Sequence, residues 1–193
     1  MSKEVAIPTA DMVRKYIDKF DNDNNLVLVE DVLSELLEKY PSNDVLRNVL
    51  IKATVLNSLY STNIYAIVRT AQSIVRQNID VDLRGGSLEV VEKIARVEVG
   101  GKTRTNYSFA SKYCHWHRPE MYPIYDSYVD QLLWAYHVQH QFEDFKQADL
   151  RYYPRYKEII ESFRKHYSLT KFGLKDLDKF LWGYGREYAN KQP

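Results

Sequence analysis

The sequence predicts an all-α protein. Apolar residues recur at helical spacing along most of the chain, and polar caps or prolines separate the apolar stretches. There is no internal repeat and no low-complexity segment. With 193 residues, the chain is long enough to bury one core. We therefore expect a single compact unit, residues 1–193, of about eight to ten helices, in which a sub-lobe division could fall near 78–105.

The N-terminal half shows the periodicity most clearly. Helices are predicted over the apolar stripes 12–20, 27–40, 45–59, 64–75 and 88–95. Thr9 or Asp11 is expected to start the first helix, because short polar side chains accept backbone N–H bonds there. Pro41 should stop the second helix, since proline lacks the donor for a further turn. Ser42 or Asn43 is expected to cap the third.

Three short polar segments separate the next elements. Ser61-Thr62-Asn63 is expected to cap the fourth helix, and Ser87 the fifth, after a turn at Arg84-Gly85-Gly86. Gly100-Gly101 suggests either a small hairpin or a flexible loop. It is not a phosphate-binding P-loop, because Arg96 stands where that motif needs its first glycine.

The C-terminal half continues the helical pattern. Helices are predicted over 106–116, 127–136, 156–167 and 174–184. Arg118-Pro119 should end the first of these, and Asn106 or Ser108 should cap it. The last helix is expected to fray through Gly183 and Gly185.

The segment from Asn106 to Val129 holds the densest group of side chains that could act as nucleophiles, acids or bases. Lys112 lies beside the Tyr113 position of the apolar stripe, at the edge of the predicted buried face. Desolvation lowers the pKa of an amine, and a neutral amine is what attack on a sugar C1′ requires. Asp126 precedes the next helical stripe and is a candidate N-cap, where backbone N–H bonds and the helix dipole favour a carboxylate.

This order of elements resembles a known family. A helix with Lys112, a connector, Tyr122-Pro123-Ile124-Tyr125, Asp126 and a further helix looks like the catalytic half of the helix-hairpin-helix DNA base-excision glycosylases. Leu56 to Ile64 is similar to the helix junction that lines the lesion pocket in their 8-oxoguanine branch. Ser111-Lys112 with the Tyr122–Ser127 stretch also resembles uncharacterised bacterial proteins that look like remote relatives of that branch.

The resemblance implies a fold with a glycosylase-like core and a base-excision activity on damaged DNA, with an oxidised purine as one option. Lys112 matches the Schiff-base lysine, and Asp126 matches the carboxylate that assists it. The family's Gly-hydrophobic-Gly phosphate nest is replaced by Ser108-Phe109-Ala110. The alternative for the pair is a surface lysine and a helix-capping aspartate.

Two further sets of residues belong to this hypothesis. The polar junction supplies Asn57, Ser58, Thr62 and Asn63, which could contact an extruded base or could form an ordinary interhelix turn. Lys102 and Arg104 could contact phosphate or could lie on a solvated loop. The competing function is a non-enzymatic helical module that binds a protein or a nucleic acid.

Composition restricts the partners and the compartment. The net charge is +1, so DNA binding would need a local patch rather than bulk charge. The start of the chain lacks the apolar core of a signal peptide, and no apolar run approaches the roughly 18 residues of a membrane span. The single cysteine, Cys114, fits a reducing compartment. We expect a cytoplasmic protein without membrane contact.

No cofactor or metal is expected. Cys114, His115 and His117 would point in different directions on a helix. His137 and His140 could share a helix face, but zinc would need further ligands. Cys114 is interpreted as a small buried apolar residue. The segment Arg151 to Tyr156 could stack on bases, although packing of its rings on the core is the preferred interpretation.

Overall fold

Helices make up most of the structure. The computed structural model describes residues 4–190, so residues 1–3 and 191–193 of the predicted unit lie outside the described range. The helices in that range are α1 (Ala10–Asp21), α2 (Asn24–Lys39), α3 (Leu46–Leu59), α4 (Ile67–Gln77), α5 (Asp80–Gly85), α6 (Glu89–Ala95), α7 (Tyr107–His117), α8 (Ser127–His140), α9 (Tyr153–His166) and α10 (Leu174–Ala189), with a 3-10 helix at Gln147–Arg151. The prediction of a mostly helical fold is confirmed.

A short hairpin interrupts the helices. Strand β1 (Arg96–Val99) pairs antiparallel with strand β2 (Lys102–Thr105). Gly100 and Gly101 join the strands, and both have positive φ angles, of 59° and 73°. Glycine adopts such angles without steric cost, and tight hairpin turns require them. Of the two expectations for this segment, the structure has the hairpin.

The chain divides into two units. The first comprises the residues up to Leu26 together with those from Tyr125 onwards, and the second comprises Val27–Ile124. Residues 78–105, where the sequence suggests a division, lie wholly inside the second unit. Within residues 4–190, no helix has both the length and the apolar character that crossing a bilayer requires.

The second unit packs around α7. Helix α7 contacts α6 and α3, while α4 contacts α3, α6 and β1. All side chains from Phe109 to His115 are buried, so α7 is surrounded rather than packed through one stripe. Burial on every side is typical of a central helix. The reactive side chains of α7, such as Lys112 and Cys114, are therefore held in place by the packing of the core.

The first unit packs α10 against α1 and α8. The expectation that the last helix frays through its glycines is wrong, because α10 is continuous to Ala189. A Cβ atom on Gly183 would lie 2.9 Å from the Tyr16 ring, and one on Gly185 would lie 2.7 Å from the backbone oxygen of Tyr128. Both glycines therefore permit close packing of helices instead of breaking one.

Several predicted helix starts are wrong. Helix α3 has Val45 as its N-cap, α4 has Ala66 and α6 has Leu88, each without a side-chain cap bond. Two of the side chains expected at these caps have other partners, since Asn43 bonds to Asp80 and Thr62 bonds to Asn57. By contrast, Thr9 caps α1 as predicted. Helix α5 was not predicted, because six residues are too few to show a helical period.

Candidate functional site

Lys112 is held inside the second unit. Its side chain is 2% exposed, so it is not a surface lysine. The ammonium donates a hydrogen bond of 2.7 Å to the Ser108 hydroxyl, one helical turn earlier on α7. It also lies 5.4 Å from the centre of the Tyr60 ring, at a cation–π distance. A lysine in these surroundings is positioned by its neighbours rather than by solvent.

Tyr60 links this lysine to α3. It is the C-cap residue of α3, and its hydroxyl accepts a 3.0 Å hydrogen bond from the indole N–H of Trp116. Ser108, Lys112 and Trp116 are spaced four residues apart, so they share one face of α7. That face presents an amine, a hydroxyl and an indole beside the Tyr60 ring.

Asp126 is the N-cap of α8, as the sequence predicts. Its carboxylate accepts a 2.9 Å hydrogen bond from the backbone N–H of Tyr128. Asp126 belongs to the first unit and Lys112 to the second. The joint action of the two residues stays a prediction.

The Asn57–Asn63 junction is organised by the amide of Asn57. Its oxygen accepts bonds from the Thr62 hydroxyl at 2.7 Å and from the Ile64 N–H at 2.9 Å. Ser58 and Asn63 are exposed, and Asn63 has a positive φ of 58°. Asn57 thus fastens the connector, as an interhelix turn would require. Contact of these four residues with a base stays a prediction.

Lys102 and Arg104 lie on β2, and both are exposed. They alternate with Thr103 and Thr105 along the strand, so they extend from the same face of the hairpin. Strand β1 contacts α4 and carries the buried Val97. Because Lys102 and Arg104 are both exposed, the predicted phosphate contacts are sterically accessible to a partner.

A second buried lysine, not anticipated from the sequence, lies on α3. Lys52 is fully buried, and its ammonium donates to the backbone oxygens of Tyr40 and Ser42, both at 2.9 Å, and to the Asn43 side-chain oxygen at 2.7 Å. Three acceptors match the three donors of an ammonium group. Lys52 thereby fixes the chain just after α2.

Charged and aromatic groups surround this amine. The Tyr113 hydroxyl also donates to Asn43, at 2.5 Å, and the Asn43 amide donates to Asp80 at 2.6 Å. Burial lowers the pKa of Lys52 to about 8, with Asp80 and Asp44 opposing the change. The ring nitrogen Nε2 of His117 lies 3.4 Å from the ammonium. The Lys52 amine, the Asn43 amide and the Tyr113 hydroxyl are all hydrogen-bonded, which is typical of a structural support.

Acid should weaken the second unit through His117. Burial, followed by the nearby Lys52 charge, lowers the pKa of His117 from 6.5 to about 3. Between those values the unfolded chain binds a proton that the folded chain does not, so stability falls as the pH falls. We expect His117→Gln to reduce the slope of unfolding free energy against pH, between pH 6 and 4.5, by about 1 kcal/mol per pH unit.

Urea unfolding followed by fluorescence across this pH range measures the slope. The matched control is His166→Gln, because His166 is exposed. It should leave the slope at the wild-type value. Equal slopes for His117→Gln and the wild type would show that His117 is protonated in the folded protein.

The surroundings of Cys114 do not favour nucleophilic chemistry. Cys114 is fully buried, and burial raises the pKa of its thiol well above the usual value. A thiol in that state is a poor nucleophile. Among the described residues, no group of three or more His, Cys, Asp or Glu side chains is arranged to hold a metal ion. Cys114 is the small buried apolar residue that the sequence predicts.

Comparison with known proteins shows the family of the chain. Residues 12–121 match the HI_0787_N family, which is described as an N-terminal domain. The chain belongs to the HI_0787_N family. Lys112 and Lys52 lie inside the matched residues, and Asp126 lies outside them.

The chain is also similar to a bacterial protein. The chain is 40% identical over 144 residues to an uncharacterised protein of Haemophilus influenzae. The aligned part covers 74% of this chain and 69% of that protein. No solved structure matches the chain.

Proposed function

We propose that the protein is a DNA base-excision glycosylase and abasic-site lyase with a helix-hairpin-helix glycosylase-like core, and that an oxidised purine is among its substrates. The observation that carries this proposal is the burial of Lys112 on the central helix α7. Burial favours the neutral form of an amine in general, and only the neutral amine is a nucleophile. The 2% exposure of Lys112 supports this role over that of a surface lysine.

The reaction begins with attack by Lys112. The lone pair of Nζ forms a bond to C1′ of the damaged nucleotide, while the bond from C1′ to the base breaks and its electron pair leaves with the base. The base takes up a proton, and Nζ loses one. Opening of the sugar ring then gives a Schiff base between Nζ and C1′. Strand cleavage by β-elimination can follow from that intermediate.

The remaining residues have supporting roles in this proposal. Asp126 stabilises positive charge that develops on the sugar, because an ionised carboxylate at a helix start is a fixed negative charge. Asn57, Ser58, Thr62 and Asn63 would contact the extruded base. Lys102 and Arg104 would contact phosphates flanking the lesion, since both are exposed on the hairpin.

Borohydride trapping tests the proposal. Purified protein is incubated with oligonucleotides that carry 8-oxoguanine, uracil or an abasic site, and borohydride reduces any Schiff base to a stable covalent adduct. We expect an adduct with the wild type and none with Lys112→Met, which keeps the length of the side chain but lacks the amine. Asp126→Asn should slow adduct formation by about 100-fold.

Lys165→Ala is the control for loss of a lysine that has no role in the proposed reaction. It should still form the adduct, because Lys165 is exposed and lies in the first unit. An adduct that persists in folded Lys112→Met would assign the chemistry to another amine. If the wild type forms no adduct and releases no base from any of these oligonucleotides, the enzymatic proposal is wrong.

A second candidate is a binding module that has the helical scaffold without the activity. The bonds of Asn57 to its own connector favour it, because an amide engaged in this way is less available to a base. Ser108-Phe109-Ala110 also form part of helix α7 rather than a glycine nest. In either case, we propose a cytoplasmic protein, in keeping with its single, buried cysteine.

A further inference from the structure

The helix pair α3 and α4 carries an unusual charge pattern. From Val45 to Ile79 the sequence contains neither Asp nor Glu, although the chain has 26 such residues. The same stretch contains Arg47, Lys52, Arg69 and Arg76. Since α3 and α4 pack together, this acid-free stretch forms one continuous part of the second unit. Its outer surface is positive despite the near-neutral charge of the whole chain.

The three arginines of this stretch face solvent. Arg47, Arg69 and Arg76 are exposed, and none has an ion-pair partner within residues 4–190. Arg69 and Arg76 are seven residues apart on α4, so they lie on nearly the same face, about 10 Å apart along the helix. Unpaired guanidinium groups in such a row can bind successive anionic groups.

An exposed aromatic ring lies at the start of α4. Tyr65 is 96% exposed, the largest exposure among the big apolar and aromatic side chains of the described residues. Its backbone is nevertheless fixed, because Asn57 binds both the N–H and the carbonyl of the preceding residue, Ile64, whose side chain is buried. A bare ring on an anchored backbone loses less entropy when it stacks on a partner than a ring on a mobile loop does.

We infer that this surface, the α3–α4 face, binds a single strand of nucleic acid. Arg69 and Arg76 bind its phosphates, and Tyr65 stacks on one of its bases. The absence of carboxylates fits a polyanion, and the bare ring beside arginines fits bases rather than an acidic peptide, because every base offers a flat face for stacking. Only the choice of DNA as the strand rests on the proposed function.

The inference also accounts for a departure from the glycosylase pattern. The family nest that grips a DNA phosphate is absent at Ser108-Phe109-Ala110, which lie within α7. The α3–α4 face supplies anion-binding groups in its place. Strand β1 packs on α4, so the hairpin with Lys102 and Arg104 lies next to this face.

The salt dependence of binding tests the arginines. Anisotropy of a fluorescein-labelled oligothymidine gives the association constant at several salt concentrations. Each phosphate contact on a single strand contributes about 0.7 to the slope of log K against log salt, so Arg69→Ala with Arg76→Ala should reduce the slope by about 1.4. Lys15→Ala with Lys165→Ala removes the same charge from exposed positions of the first unit and should leave the slope unchanged.

A strand without bases tests the tyrosine. Tyr65→Ala should weaken binding to oligothymidine by about tenfold, because base stacking on an aromatic ring has that magnitude. The same variant should bind an abasic strand of equal length as the wild type does, and Tyr65→Phe should bind both as the wild type does. Equal loss on both strands would show that Tyr65 does not stack on a base.

The outcomes separate this inference from the enzymatic proposal. Wild-type binding that the arginine pair does not alter, or that polyglutamate abolishes as effectively as unlabelled DNA does, overturns the inference. Absence of any salt-dependent binding overturns it as well. Binding that depends on Arg69, Arg76 and Tyr65, without a borohydride adduct, supports the α3–α4 face and rejects the glycosylase activity.

Discussion

Replacing Lys52 by methionine is expected to lower the free energy of unfolding by about 3 kcal/mol. Methionine keeps an unbranched apolar stem but removes three donors. The backbone oxygens of Tyr40 and Ser42 then lose a partner in a partly buried position, and the side-chain oxygen of Asn43 keeps only its bond from Tyr113. An unsatisfied buried acceptor costs about 1–3 kcal/mol. Relief of the buried charge offsets part of that sum.

Urea denaturation at pH 7 measures this loss. The control is Lys39→Met, which replaces an exposed lysine of the same unit and should change the free energy by no more than about 0.5 kcal/mol. If Lys52→Met loses no more than that control, removal of the charge compensates fully for the missing hydrogen bonds. The interpretation of Lys52 as a structural support would then be wrong.

Local signals allowed most of the helices to be predicted. The apolar stripes that begin at Met12 and Val129 lie within helices α1 and α8. The side chains of Thr9 and Asp126 cap these two helices. These features depend on residues a few positions apart, which the sequence displays directly. The caps predicted at Asn43 and Ser87 are wrong, and both residues have tertiary contacts instead. The Asn43 amide donates to Asp80, and the Ser87 backbone oxygen accepts a bond from the Tyr122 hydroxyl. A short polar side chain can bond either to a helix start or to a distant residue, and the sequence alone does not show which of the two it binds.

The candidate site was predictable only in part. The position of Lys112 beside an apolar stripe predicts a partly buried amine, but its contact with Tyr60 joins residues that are distant in the chain. Lys52 offered a weaker signal of the same kind, since it stands three residues after Val49 and four before Leu56, on the buried stripe of α3. A lysine at such a position indicates a buried amine. Its acceptors could not be identified without the fold.

The sequence shows one feature of the α3–α4 face but not the other. Its charge pattern is fully visible in the sequence, because absence of Asp and Glu from Val45 to Ile79 requires no structure to detect. Exposure of Tyr65 is not visible there, since an aromatic residue between two apolar helices is more often buried. In the structure Tyr65 is exposed, while the preceding residue, Ile64, is buried and bonded to Asn57.

Replacing Gly185 by alanine should destabilise the first unit by about 2 kcal/mol. The new Cβ would lie 2.7 Å from the backbone oxygen of Tyr128 and 3.0 Å from its carbonyl carbon. Backbone atoms of α8 cannot rotate away, so α8 and α10 must separate. Overpacking of this kind costs about 1–3 kcal/mol, which exceeds the roughly 1 kcal/mol that alanine gains over glycine in helix propensity.

Two other glycines provide the comparison, with thermal unfolding as the measurement. Gly183→Ala should cost less than Gly185→Ala, because its Cβ would meet the ring edge of Tyr16, a side chain that can tilt. Gly85→Ala should be neutral or stabilising by up to about 1 kcal/mol, since nothing lies within 4 Å of its Cβ. If Gly185→Ala stabilises α10 instead, helix propensity outweighs the contact with Tyr128, and these glycines do not set the spacing of the helices.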